Sequence, residues 1–204
     1  MVVLKITSEI KRMSAACKIS AQALKVAGEY MKPGVSTKEI DEAVKKFILS
    51  TGAKPNFLGY GGFPGSACIS VNNVVIHGIP SKKIVLKEGD IVSVDVGASY
   101  DGFNGDNAYT FAVGEISDEA KQLLRVTEEC LYKGIEAAKV GNRIGDISHA
   151  VQSHAESYGY GVVRKFVGHG VGRKLHEDPE VPNFGRPGHG LRLAAGMTLA
   201  IEPM

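Results

Sequence analysis

Apolar positions fall first at helical spacing. Ile10, Met13, Cys17, Leu24 and Met31 recur at steps of three, four and seven. That period predicts a helix over 8–31, stopped by Pro33-Gly34. A second helix is predicted from Ser36. Ser36 and Glu39 have capping-box spacing, Ile40, Ala43, Val44, Phe47 and Ile48 give an apolar face, and Gly52 suits the C-terminal end. Two more helices are predicted over about 117–139 and 144–158. Ser117 with Asp118 and Glu119 starts the first, and Gly159 closes the second. Between the helix pairs the period changes to two. IVSVDVG alternates, NAYTFAVG reads as another strand, and the turn-rich ASYDGFNG joins them. An antiparallel hairpin over 89–111 follows. Further strands are predicted over Ala67–Ile76, in GVVRKFVG and in MTLAIEP, the last two separated by a polar Gly/Pro loop. The fold class is α+β.

The pattern recurs after 107 residues. Gly34 matches Gly141, Ile40 matches Ile147, Val44 matches Val151, Gly52 matches Gly159 and Gly89 matches Gly196. The helix–helix–strand order also repeats, which predicts a duplicated unit with halves of about 8–113 and 115–204 in a single domain, 1–204. The same shift sets Asp95 beside Glu202, two acids at equivalent points across a pseudo-twofold. Asp106 would find its counterpart past Met204. The expectation is therefore a shortened form of a longer protein, with one strand and one acid missing.

Composition narrows the partners. The chain has 204 residues, 44% hydrophobic, with a net charge of +2. That is enough for a full core and too little charge for a nucleic-acid field. Three cysteines without paired-ligand spacing suggest a reducing cytoplasm. No stretch reaches the ~18 apolar residues of a spanning helix. A cytoplasmic protein, without nucleic-acid or membrane partners and with no feature that demands an oligomer, is expected.

The chemistry centres on acids. Asp95 lies between Val94 and Val96, and a carboxylate in an apolar strand is costly unless something pairs with it. Two carboxylates brought together need a cation, a shared proton or basic partners. For Asp95 a metal is preferred; Asp101, in the turn itself, reads as a structural aspartate bonding to turn amides. The candidate metal ligands are Asp95, Asp106, His169 and Glu202. Carboxylates with one imidazole suit Mn, Fe(II), Co or Zn, and bridging carboxylates allow two ions. His149 and His154, on a predicted helix, read as solvated. Gly168, Gly170 and Gly172 are not followed by the helix and Lys-Ser/Thr of a phosphate loop, and instead allow close approach around His169. Cys68 has no local base to make it a nucleophile.

HGIP at 77–80, DVG at 95–97, DGFNGDNAYTF at 101–111, GHGVGRKLHEDPEVPNF at 168–184 and GMTLAIEPM at 196–204 resemble the type I methionine aminopeptidases, in order and over nearly the whole chain. The resemblance implies a pita-bread fold, two divalent metal ions, and removal of the N-terminal methionine from nascent polypeptides, small second residues preferred. It implies Asp95 as a terminal ligand, Asp106 as a bridging one, and His169 and Glu202 as ligands of the second ion. Glu202 would also handle the proton of the attacking water. His77 would contact substrate near the scissile amide, and His176 would stabilise the tetrahedral oxygen. Phe57, Tyr60, Phe63, Cys68 and Leu175 would wall the methionine pocket, against ordinary loop packing as the plainer reading. The family's fifth ligand, a later glutamate, has no counterpart here, so weak metal binding and reduced turnover are expected. The alternatives are a prolidase or X-Pro aminopeptidase relative, which carries a further N-terminal domain, and a metal-free pita-bread binding module, which would show eroded ligands.

Overall fold

The computed structural model describes residues 2–204. The chain divides into two compact units, one of residues 11–120 with 173–175, the other of residues 2–10, 121–172 and 176–204. They are called here the N-terminal and C-terminal units.

The N-terminal unit is built on α1 (Thr7–Glu29, whose first four residues belong to the other unit), α2 (Thr37–Ser50) and four antiparallel strands: β1 (Lys54–Pro55), β2 (Ala67–Val71), β3 (Ile91–Tyr100) and β4 (Phe103–Ala112). β3 is central. β1 and β2 pair along one edge of it, β4 along the other. One face of β3 buries Val92, Val94, Val96 and Ala98 against Ile40, Val44 and Ile48 of α2 and Ala23 and Ala27 of α1. Small residues on α1 let it lie close to β4. A Cβ on Gly105 would stand 2.4 Å from Ala16 C. The large residues singled out on this helix are not all inside: Met13 is buried, but Ile10 is exposed, and Ala16, Ser20, Ala23 and Ala27 complete the contact face.

α2 starts as its sequence requires. Glu39 N donates to Ser36 Oγ, and Ser36 N donates to Glu39 Oε2 at 2.8 Å. The predicted strand from Ala67 stops at Val71 rather than Ile76, because Asn72 takes a left-handed conformation and the chain turns back. Ile69 N then donates to Gly78 O.

The C-terminal unit carries α3 (Asp118–Ala137, whose first turn belongs to the other unit), α4 (Ile144–Ser157), and a three-stranded sheet ordered β6-β5-β7. These strands are β5 (Gly168–Gly170), β6 (Glu177–Val181) and β7 (Leu199–Ala200). GVVRKFVG is therefore irregular over most of its length, MTLAIEP pairs over only two residues, and the polar loop contains a strand. Ile144, Ile147, Val181 and Leu193 form one core cluster, and Val126, Cys130, Val151 and Ala155 another. His154 is not simply solvated: its Nε2 lies 2.8 Å from Glu129 Oε2. Among the described residues no helix is long and apolar enough to cross a membrane.

The backbones of the two units follow the same 107-residue shift. α2 and α4 are both 14 residues long and start and end at matched positions. Gly34, Gly52 and Gly89 have left-handed φ of 90°, 79° and 89°; Gly141, Gly159 and Gly196 have 96°, 81° and 91°. The isolated bridge Ser36–Val85 recurs as Arg143–Arg192. Asp146 accepts from Arg143 N at 2.7 Å, as Glu39 accepts from Ser36 N.

Candidate functional site

The β3–β4 hairpin sets the first pair of acids. A two-residue turn, Asp101-Gly102, joins the strands with φ of 49° and 76°, so both residues are left-handed. Asn104 and Gly105 lie inside β4, not in the turn. Asp101 carries an ion pair with Arg12 of α1, which also holds its carboxyl below the usual range. Asp95 stands opposite Ala108, and Asp106 opposite Gly97. Cross-strand partners share a face, so Asp95 and Asp106 are diagonal neighbours on one face, about 7–8 Å apart. It is the face away from Val94 and Val96. Asp95 thus stands half-buried outside the core rather than within it.

Gly97 leaves a gap on that face, and two side chains fill it. A Cβ at position 97 would fall 1.8 Å from Asn56 Oδ1 and 2.6 Å from Phe57 Cε1. Phe57 packs with Cys68 and Leu175, with Phe63 alongside. Cys68 is the partner of Asp95 on β2. Four of the five residues named for the methionine pocket are therefore one apolar cluster beside the acids. Tyr60 sits in a short 3-10 turn and is 52% exposed, outside that cluster. Burial, then the charges of Asp95 and Asp106, push the Cys68 thiol up to about 12, so it stays neutral. Burial also raises the Cys17 thiol.

His77 is exposed and left-handed, with φ of 57°. Its neighbour Gly78 is fixed against β2: Gly78 N donates to Ser70 Oγ, and a Cβ there would stand 2.1 Å from Ile69 O. That close approach is why HGIP requires its glycine.

In the C-terminal unit His169 and Glu202 meet. His169 pairs with Ala200 across β5 and β7, and Glu202 follows two residues on. Glycines flank His169 because the strands crowd it. A Cβ on Gly168 would stand 2.2 Å from Ala200 O, and one on Gly170 2.2 Å from Asp178 O. His169 Nδ1 lies 2.8 Å from Gly170 O. A carbonyl only accepts, so Nδ1 carries a proton, and in the neutral ring Nε2 presents a lone pair. That lone pair faces Glu202 Oε1 at 3.2 Å. The carboxylate oxygen is buried and makes no hydrogen bond, although the separation alone would admit an ion pair. With the ring neutral, two acceptors face each other, an arrangement that a cation relieves. Asn183 Nδ2 holds the Glu202 carbonyl at 2.8 Å. The His176 ring packs on His169, centroids 4.2 Å apart.

The donor set fits a divalent ion. It is carboxylate and imidazole, with a fixed tautomer and a buried carboxylate oxygen lacking any donor. Within neither unit, among the described residues, do three or more His, Cys, Asp or Glu form a group able to hold an ion by themselves.

Several residues escaped the sequence reading. Asp41 is buried on α2 and accepts from Ser66 N and Ala67 N, anchoring the start of β2. Lys5 and Glu177 form a buried ion pair next to His176. Asn56 and Asn104 are hydrogen-bonded at 3.0 Å. Only Asn104 offered a signal, and its Asn-Gly context pointed to a turn.

Comparison with known proteins shows the family. The profile of metallopeptidase family M24 matches residues 11–204. The methionine aminopeptidase of Clostridium acetobutylicum is 55% identical over 204 residues, all of this chain and 82% of the relative. Methionine aminopeptidase 1 of Bacillus subtilis is 51% identical over the same shares. The crystal structure of methionine aminopeptidase from Thermotoga maritima superposes with a TM-score of 0.98 at 50% identity, covering 100% of this chain and 82% of that one. The chain belongs to metallopeptidase family M24, in its methionine aminopeptidase branch, and has the pita-bread fold of that family.

Proposed function

We propose that this chain removes the N-terminal methionine from nascent proteins and peptides, with small second residues preferred, by metal-assisted amide hydrolysis. The reading takes two divalent ions of the Mn, Fe(II), Co or Zn class, held by Asp95, Asp106, His169 and Glu202. Bound ions of this kind polarise the scissile carbonyl and lower the pKa of water. The chain's own groups do the rest. Glu202 takes the proton of the attacking water. His77 contacts the substrate near the leaving amine, and His176 donates to the developing oxyanion. Phe57, Tyr60, Phe63, Cys68 and Leu175 receive the thioether side chain. The neutral Cys68 thiol acts there as a wall. Three unbridged cysteines accord with a cytoplasmic location, where nascent chains are met. The chain is taken to act as a monomer.

The observation that carries the reading is the approach of His169 Nε2 to Glu202 Oε1 without a hydrogen bond, in a chain of this family. Methionine release from Met-Gly-Met, after chelation and readdition of Mn, Co or Zn, is the test. Release is expected only with metal, and none from the N-acetylated peptide. Cleavage of X-Pro dipeptides instead would favour the prolidase reading, and inactivity with every metal would refute the proposal.

A further inference from the structure

One side of the apolar cluster is supplied from far along the chain. Arg173–Leu175 is a tripeptide assigned to the N-terminal unit, although the residues before and after it belong to the other. What keeps it there is specific. Asn104 Nδ2 donates to Arg173 O at 3.1 Å, and Asn104 Oδ1 accepts from Asn56 Nδ2 at 3.0 Å. The order of this relay admits no flip. Arg173 O only accepts, so Asn104 must turn its amide nitrogen to it, and Asn56 must then donate. Asn56 Oδ1 is consequently left buried without a partner, over Gly97. A buried acceptor without a donor is costly, a cost set against the two hydrogen bonds of the relay. The Arg173 guanidinium also lies over the Phe103 ring, 4.6 Å from its centroid. Leu175 then packs on Phe57 and Cys68.

We propose that Asn104 is a positioning residue for substrate specificity: it holds the Arg173–Leu175 tripeptide on the β3–β4 hairpin, so that Leu175 closes the apolar pocket around the first side chain of the substrate. The role rests on the proposed function, since it concerns the methionine pocket of that reaction. Asn104 acts through the tripeptide that carries Leu175. Because His176 follows Leu175 directly, a general disturbance of the site would lower turnover of every substrate. A pocket effect changes the ratio between substrates.

The test compares Asn104→Ala with Arg12→Ala, which loosens the same hairpin at Asp101 and Phe103 without removing the bond to Arg173 O. Two readouts are needed on the full chain. Hydrogen exchange of the amides at 173–176 should rise about tenfold or more in Asn104→Ala and stay near wild type in Arg12→Ala. The ratio of kcat/KM between a methionyl and a leucyl tripeptide should fall about tenfold in Asn104→Ala only, the size expected for altered apolar fit. Unchanged exchange overturns the clamp. Raised exchange with an unchanged ratio, or an equal loss on both peptides, overturns the specificity role. A wild-type chain that releases no methionine with any metal refutes the proposed function and the specificity role with it, while the exchange result still reports on the clamp.

Discussion

His169 Nε2 and Glu202 Oε1 stand 3.2 Å apart with no hydrogen bond to that oxygen, and in the neutral ring the imidazole proton is engaged at Gly170 O. Replacing the carboxylate with an amide relieves that opposition. Glu202→Gln can donate N–H to the imidazole, so the metal-free protein should gain about 0.5–1.5 kcal/mol in denaturant unfolding. Metal-dependent methionine release should fall to background. A variant that loses stability without metal would show that the two lone pairs do not oppose each other.

Gly97 and the pocket are linked by space. Gly97→Ala puts a methyl where Asn56 and Phe57 lie, so overpacking should cost about 1–3 kcal/mol. Phe57 would be displaced from Cys68 and Leu175. The KM for a methionyl peptide should rise severalfold, measured alongside the urea midpoint. A variant with wild-type stability and KM would contradict the packing account.

Cys68 separates wall from nucleophile. Its thiol, raised to about 12 by burial and by the nearby acids, is neutral at physiological pH. Cys68→Ser should keep kcat within a few-fold and mainly raise KM, as loss of binding common to ground and transition states does. Abolished turnover at saturating substrate would show covalent chemistry instead.

The matched capping acids predict a shared pH response. Glu39 is held below the ordinary carboxyl range chiefly by Ser36, and Asp146 by the amides of Gly188 and Arg143. A depressed folded pKa contributes stability that is complete above the unfolded value, roughly 4, and lost as pH falls through the folded one. Glu39→Gln and Asp146→Asn should each lower Tm at pH 7. The gap to wild type should shrink as pH drops below about 4. A gap constant from pH 7 to pH 3 would remove the carboxylates from this role.

Much of the fold was legible where the determinant is local. The Ser36–Glu39 box, the left-handed Gly52 and the hairpin with its two acids follow from short-range chemistry. The repeat was legible because turn glycines recur at one shift. Distance along the chain hid the rest. The face of α1 reads from its large residues, yet the close approach of Gly105 selects Ala16 and Ser20 instead. β6 is mostly polar, with alternating exposure, and its partner β5 is crowded by glycines, so neither has an apolar period. Asn104 looked like a turn residue because its bonds go to Asn56 and Arg173, far away in sequence.

The central claim is that Asp95, Asp106, His169 and Glu202 hold divalent ions. Anomalous scattering from a zinc-loaded crystal of the chain tests it most directly. The account predicts peaks about 2.0–2.2 Å from carboxylate oxygens of Asp95 and Asp106 and from His169 Nε2 and a Glu202 oxygen, with the peak at the aspartates lost in Asp106→Asn. Zinc bound elsewhere, with these four side chains uncoordinated at saturating metal, would contradict it.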